Sequence, residues 1–421
     1  MDVLLAGGIF VVAYALIASE RFDRTLVAML GGLLVVVLGI IDQEEAFAGI
    51  DFNVIFLLAG MMVLAGGLAK TGFFEYVAGL AIHRSRGEPF RLLVILVVVT
   101  AVLAAVLDNV TTVVLLTPVT LSIARTLKVS PFPYLISQIF ASNIGGTATL
   151  IGDPPNILIG SAAGLDFGDF LVNLAPVVVV IMAAFLVIMW FAFGRSMADD
   201  EDRLDVLAAV DPTAAITDRP LMYRTLIVLG LTIVGFLLHS AIGVEAATIA
   251  LLGATVLMIV GPLDPHEALR DIEWNTLFFF VGLFMLIEAV VHVGIVGTVA
   301  DALADVAGGN QGLATIGILW ISALGSAVVD NIPYTATAIP IVERMAETGL
   351  QAEPLWWALA LGACLGGNLT IIGASANIVV ANLAQRDGHP ITFGQFFRYG
   401  SVVVLMSLVI STVYLWLRYL G

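Results

Sequence analysis

"DNIPYTATAIP" occupies positions 330–340, and "DNVTTVVLLTP" occupies positions 108–118. Each opens on an acid and an amide, each ends on a proline, and each lies inside a long apolar run. The chain is 60% hydrophobic and 12% charged, against roughly 25% charge in a soluble domain. A mean hydropathy of +1.06 points the same way. Apolar runs long enough to cross about 30 Å of hydrocarbon recur along the chain. The fold class expected is therefore an all-α polytopic membrane protein. In such a protein an acid–amide pair at mid-bilayer does not face lipid. Broken backbone at that depth is buried in protein or lines a cavity. Segment 88–128 and its counterpart around 330 accordingly read as re-entrant hairpins, with Asp108-Asn109 and Asp330-Asn331 at their tips.

The distance from Asp108 to Asp330, 222 residues, is also the offset of an internal repeat. At that offset Gly39 meets Gly261, Asp42 meets Asp264, Glu45 meets Glu267, Asn53 meets Asn275, Gly60 meets Gly282 and Gly72 meets Gly294. After a slip of one residue, Gly145-Gly146 meets Gly366-Gly367, Thr149 meets Thr370, Gly152 meets Gly373 and Asn156 meets Asn377. The chain divides into a first repeat, 1–195, a charged linker, 196–219, and a second repeat, 220–421. Spans near 3–19, 24–41, 51–69, 131–163 and 168–194 give the first repeat about five crossings plus the hairpin. The number is odd, and stays odd if the hairpin arms cross, so the second repeat is inverted relative to the first. With the N-terminus outside, all of the 17 Lys and Arg except Arg344 and Arg418 fall on the cytoplasmic side, as the positive-inside rule requires. The expected location is a cell (inner) membrane, multi-pass. Both termini lie outside and the 195–224 linker is cytoplasmic. The first apolar run lacks a positive n-region and reads as a retained helix.

Inverted repeats with broken helices mark secondary transporters, in which unpaired backbone groups at mid-depth meet the cargo. Four breaks are visible: the two tips, "NIGGTATLIGDPPN" (143–156) and "GGNLTIIGASAN" (366–377). Pro154 and Pro155 lack N–H groups and end a helix. The substrate-binding candidates are Asn109, Thr112, Thr147, Thr149, Asn156, Asn331, Thr335, Asn368, Thr370, Ser375 and Asn377, with Thr111 beside them. Asp108, Asp330 and Asp153 are the candidates for proton or cation coupling. The set holds three acids and no Lys or Arg. That favours a neutral polyol-like solute or a cation over an uncompensated anion, and an acid at depth offers a place for a coupling proton. Each Thr could equally satisfy neighbouring backbone, and Asp153 could cap the helix that starts near Asn156.

The net charge of −16 is concentrated in "DDEDRLD" (199–205) and in loops, and reads as a solvated linker. With no basic patch, nucleic acid is not a partner. The lone Cys364 excludes an internal disulfide and a Cys-rich metal site, and by default is a buried structural thiol. Lys70 and His292 match across the repeat and sit at span ends, which suits snorkelling. Glu288 lies inside a span with no partner visible. No nucleophile–base pair, metal motif or phosphate loop indicates an enzyme, a cofactor or a metal. A cation channel is the remote alternative.

"IGDPPNILIG" (151–160), "GACLGGNLTIIGASANIV" (362–379) and "DNIPYTATAIP" resemble the ion transporter superfamily, and most closely its arsenite permease/P protein branch. The resemblance covers nearly the whole chain. It implies a scaffold domain and a moving transport domain holding both hairpins and both broken helices, with an elevator-type motion. It also implies a homodimer through the scaffold and an energising ATPase subunit. The dicarboxylate branch of that superfamily carries Ser-Asn-Thr at its tips, where this chain has Asp-Asn. The function expected is a proton-coupled secondary transporter exporting arsenite or antimonite. Arsenous acid is neutral near pH 7 and presents hydroxyls for Asn, Thr and Ser, while Asp108 or Asp330 exchanges the proton. The alternatives are a sodium–proton antiporter or a sodium-coupled anion or carboxylate transporter.

Overall fold

The computed structural model describes residues 1–19, 21–86, 88–194, 197 and 212–421. The acidic stretch 199–205, with Arg195 and Arg203, lies outside the described residues. The first series of helices is α1 Asp2–Ser19, α2 Arg24–Val37, α3 Gln43–Ala48, α4 Phe52–Ala69, α5 Phe73–Ser85, α6 Pro89–Leu107, α7 Asn109–Thr126, α8 Phe132–Gly146, α9 Pro154–Ala163, α10 Phe167–Asn173 and α11 Ala175–Met189. The second is α12 Arg219–Ile242, α13 Ala246–Val260, α14 Pro265–Arg270, α15 Trp274–His292, α16 Ile295–Ala307, α17 Gln311–Val328, α18 Asn331–Glu347, α19 Ala352–Gly366, α20 Ser375–Arg386 and α21 Phe393–Leu415. The element order from α1 to α9 recurs from α12 to α20.

Among the described residues there is no strand, and eight helices are long and apolar enough to cross a membrane. They are α1, α4, α6, α11 as extended to Gly194, α12, α15, α17 and α21 as extended to Leu420. Apolar side chains such as Leu4 and Val11 on α1, Ile227 and Leu231 on α12, and Val402 and Val409 on α21 are exposed. That is the surface of a chain whose solvent is lipid. The protein is a multi-span membrane protein. The arms α6 and α17 run 19 and 18 residues, about 28 Å at 1.5 Å per residue, so each arm is as long as a full span.

Lipid tails are as apolar as leucine, so helices in a membrane are held by close packing of small residues and by interhelical hydrogen bonds. The two series interlock on that principle. α2 packs along α15, and α13 packs along α4. A Cβ on Gly60 would lie 2.6 Å from the backbone of Ala250, and one on Gly282 would lie 2.4 Å from that of Ala28. These are the same contact twice, since Gly60 matches Gly282 and Ala28 matches Ala250 at the repeat offset. At one end of this block Lys70 Nζ pairs with Asp271 at 2.8 Å and Glu267 at 3.7 Å. At the matched position His292 Nδ1 lies 2.5 Å from Glu45. Lys70 and His292 therefore join helices to the adjoining acidic turns instead of only snorkelling. Glu288, which has no partner visible in the sequence, packs against Gly49 beside that histidine pair.

Candidate functional site

Each hairpin tip is a helix N-terminus built by its own acid. Asp108 Oδ1 accepts from Thr111 N at 2.8 Å to cap α7, and Asp330 Oδ1 accepts from Ile332 N at 3.0 Å to cap α18. Asp108 sits at φ 111°, ψ 154°, a conformation suited to glycine that costs a side chain about 1–3 kcal/mol. Such strain persists where the surroundings over-determine it and the position has a task.

Each break is held open by an asparagine. Asn156 Nδ2 donates to the carbonyls of Thr149 at 2.8 Å, Thr147 at 3.2 Å and Gly146 at 3.4 Å. Asn377 Nδ2 donates to those of Gly367 at 2.8 Å and Thr370 at 2.9 Å. The threonines secure the breaks to the hairpin arms: Thr149 Oγ1 donates to Ala105 O at 2.5 Å, and Thr370 Oγ1 to Ala327 O at 2.6 Å. Thr147 Oγ1 donates within its own helix to Asn143 O. These three hydroxyls have backbone partners. Asn156→Ala and Asn377→Ala should each strand two or three buried carbonyls, at roughly 1–3 kcal/mol apiece. We expect a lower melting temperature and a weaker apparent substrate affinity in both. An affinity unchanged in both variants would detach the breaks from the site.

The tips and breaks of opposite series meet. α18 packs on α9, and α7 on α20. Asn331 Nδ2 donates to both oxygens of Asp153, at 3.1 and 3.3 Å. Asp153 makes no capping hydrogen bond to α9, so its carboxylate belongs to the site. Asn109, Asn143, Asn368 and Asn377 form a chain of amides: Asn109 Nδ2 to Asn143 Oδ1 at 3.1 Å, and Asn143 Nδ2 to Asn368 Oδ1 and Asn377 Oδ1, both at 2.9 Å. Every one of these is buried, yet Asn109 Oδ1, Asn368 Nδ2, Thr112 Oγ1 and Thr335 Oγ1 have no hydrogen-bond partner among the described residues. Buried polar atoms in proteins are nearly always paired; of the nine left unpartnered among the described residues, these four fall in the first turns after the two tips and in the second break, where a polar ligand could complete them.

Three participants were not among the sequence candidates. Asn143 is the hub of the amide chain. Cys364, assigned by default to structure, touches the site: its Sγ lies 3.5 Å from Asn156 Oδ1 and against Asp153. These two occupy matched positions at offset 221, so a comparison of the two breaks carries the signal. The third, Arg24, overturns the expectation of a site without Lys or Arg. Its Nη1 lies 3.4 Å from Asp330 Oδ2 and hydrogen-bonds Ser375 Oγ. Ser375 Oγ also donates to Asp330 Oδ2 at 2.6 Å. Arg24, Asp330, Ser375 and Glu273 line a cavity of about 340 Å³. Among the described residues no His/Cys/Asp/Glu group has the arrangement of a metal site.

A chain of this kind has relatives. It is 46% identical over 423 residues to an uncharacterized transporter of Mycobacterium tuberculosis, covering 99% of this chain and 98% of that one. It is 42% identical to a 46 kDa membrane protein of Mycobacterium leprae, covering 99% of each. The human P protein is 34% identical over 499 residues, covering 98% of this chain and 60% of that protein. The crystal structure of the Alcanivorax borkumensis YdaH transporter superposes with a TM-score of 0.65 at 13% identity, covering 99% and 98%, a likeness of fold. The sequence model of the citrate transporter family matches residues 14–362, a stretch that contains both tips, the first break and Arg24. On this match the chain is a membrane transporter that belongs to the citrate transporter family, within the ion transporter superfamily.

Proposed function

We propose that the chain is a proton-coupled secondary transporter that exports arsenite or antimonite by alternating access around the amide cluster. The observation that carries this reading is the set of unpartnered buried atoms: Asn109 Oδ1, Thr112 Oγ1, Thr335 Oγ1 and Asn368 Nδ2. They are neutral, and they include both donors and acceptors. A small uncharged solute with hydroxyl groups can complete such a set, whereas a bare carboxylate can only accept. Arg24 cancels one of the three acids, and Glu273 adds another at the same cavity, so the site keeps an acidic excess. Asp108, Asp153 and Asp330 are the coupling acids in this reading. The Lys and Arg distribution supports an inner-membrane protein with both termini outside. The interlocked α2, α4, α13 and α15 block suits a fixed scaffold, against which hairpins and breaks move as an elevator.

A second reading has its own support. Arg24 beside a cavity of about 340 Å³ suits a carboxylate anion, as does the family's description as a citrate transporter. Asp153 and Asn331 would then hold the sodium ion that compensates it. A sodium–proton antiporter would use the same pair.

The deciding experiment places purified protein in sealed liposomes with an imposed pH gradient and follows arsenite, with Na⁺ and citrate offered in parallel. Arsenite flux that follows the pH gradient without Na⁺ supports the export reading. Arsenite silence with Na⁺-dependent citrate flux moves the chain to the second reading. Cys364→Ser should retain most arsenite transport if the cargo is held through hydroxyl contacts. A folded but inactive Cys364→Ser would show direct sulfur coordination instead.

A further inference from the structure

The two tips are matched in sequence but not in their surroundings. Arg24 is the first residue of α2, fixed by the cap that Asp23 makes to Thr25 N and Leu26 N. Its guanidinium crosses to the second tip, where it meets Asp330 Oδ2 and Ser375 Oγ. It also lies over the Phe279 ring, 5.2 Å from the centroid. Along α18, Tyr14 Oη donates to Pro333 O at 2.9 Å and lies 2.5 Å from Thr337 Oγ1. The second tip is thus tied to α1 and α2 at two points. At the repeat offsets the first tip has Ala246 in place of Arg24, Pro154 in place of Ser375 and Phe236 in place of Tyr14. None of those side chains can donate a hydrogen bond, so Asp108 has no equivalent tie.

We infer that Arg24 enforces coupling: it is a tethered cation that holds Asp330 until the coupling ion replaces it. This rests on the coupled-transport reading. A proton from bulk water enters through the cavity that Arg24, Asp330, Ser375 and Glu273 line, and bonds to Asp330 Oδ2. The Arg24–Asp330 contact breaks. Arg24 keeps its own proton and turns into the cavity toward Glu273, which faces it there. Asp153, linked through Asn331, is the remaining acid near the tip. With Arg24 released, the second tip is freed from α2. Bound cargo displaces the tie in the outward half of the cycle; the cargo-free, unprotonated tip stays tied and returns only with a proton, so export is exchanged for proton entry. The side chain of Arg24 is 32% exposed and that of Asp330 10%, so the pair is open enough for the ion to reach it.

The test uses the full chain in liposomes, arsenite as cargo and an imposed pH gradient, reading both the initial rate and the final accumulation. In Arg24→Gln we expect downhill arsenite flux to persist while accumulation collapses to equal concentrations on the two sides. Arg24→Lys, which keeps the charge, should restore accumulation. A merely structural arginine would lower the rate and leave the final accumulation intact. Wild-type accumulation in Arg24→Gln, at any rate, overturns the inference. So does loss of accumulation in a folded Arg24→Lys, which serves if the glutamine variant does not fold. Absence of gradient-driven accumulation by the wild-type chain, with any of the three cargoes, overturns the coupled-transport reading and this inference together.

Discussion

Asp330→Asn should reduce gradient-driven accumulation to the level of protein-free liposomes while leaving the protein folded. The two carboxylate oxygens have separate roles. Oδ1 caps α18 through Ile332 N, and asparagine caps a helix about as well as aspartate, so the loss there is below about 1 kcal/mol. Oδ2 receives Ser375 and Arg24, and in the proposed mechanism it is the atom to which the coupling proton binds. The amide keeps the shape and removes the charge. Melting temperature and elution profile should match the wild type, and the pH-driven plateau should vanish. Normal proton-coupled flux in this variant would remove Asp330 from the mechanism. The same substitution at Asp108 falls on a carboxylate with no arginine tie, so comparing the two variants separates charge at the tip from release of the tie.

Gly366→Val should have the largest effect on folding. A Cβ on Gly366 would lie 2.4 Å from both Cα and O of Ala323, and at the matched position one on Gly145 would lie 2.3 Å from Ala101 O. The obstruction is backbone on both helices, so no side chain can rotate away. Overpacking a core typically costs 1–3 kcal/mol, and separating α19 from α17 along their length falls at or above the upper end of about 3 kcal/mol. The helix pair also sets the distance between Ala327 O and Thr370, so the second break would lose its anchor. We expect no monodisperse protein in detergent. Gly8→Ala is the control: a Cβ there meets nothing within 4 Å, and a helical Gly→Ala change stabilises by roughly 1 kcal/mol. Wild-type thermal stability in Gly366→Val would contradict the close approach of α17 and α19.

The parts of the site legible in the sequence are those that repeat. Asp108-Asn109 and Asp330-Asn331 stand out because polar pairs interrupt apolar runs twice at one offset. Asn156 and Asn377 stand out for the same reason. Arg24 leaves no such trace. It lies 306 residues from Asp330, and its position in the chain reads as an ordinary basic residue at the end of a span. Cys364 meets Asn156 across 208 residues, and only the fold brings them together. The threonines show a different limit. A hydroxyl that donates to backbone and one that faces a ligand have the same sequence context, and the structure assigns Thr147, Thr149 and Thr370 to backbone while leaving Thr112 and Thr335 without partners among the described residues. The hairpin arms run longer than half-helices because segment 88–128 breaks at a single residue between α6 and α7, which leaves nearly its whole length to helix.

The doubled contact of Gly60 with Ala250 and Gly282 with Ala28 has the form of an isologous interface, in which each side offers what the other receives. A polypeptide ending after α11 would already carry both partners, Ala28 and Gly60, and could join a second copy of itself without any new surface. Fusion of two such copies would turn a subunit boundary into the interior of one chain. It also follows that the two parts, made as separate polypeptides, retain a specific surface through which to reassemble.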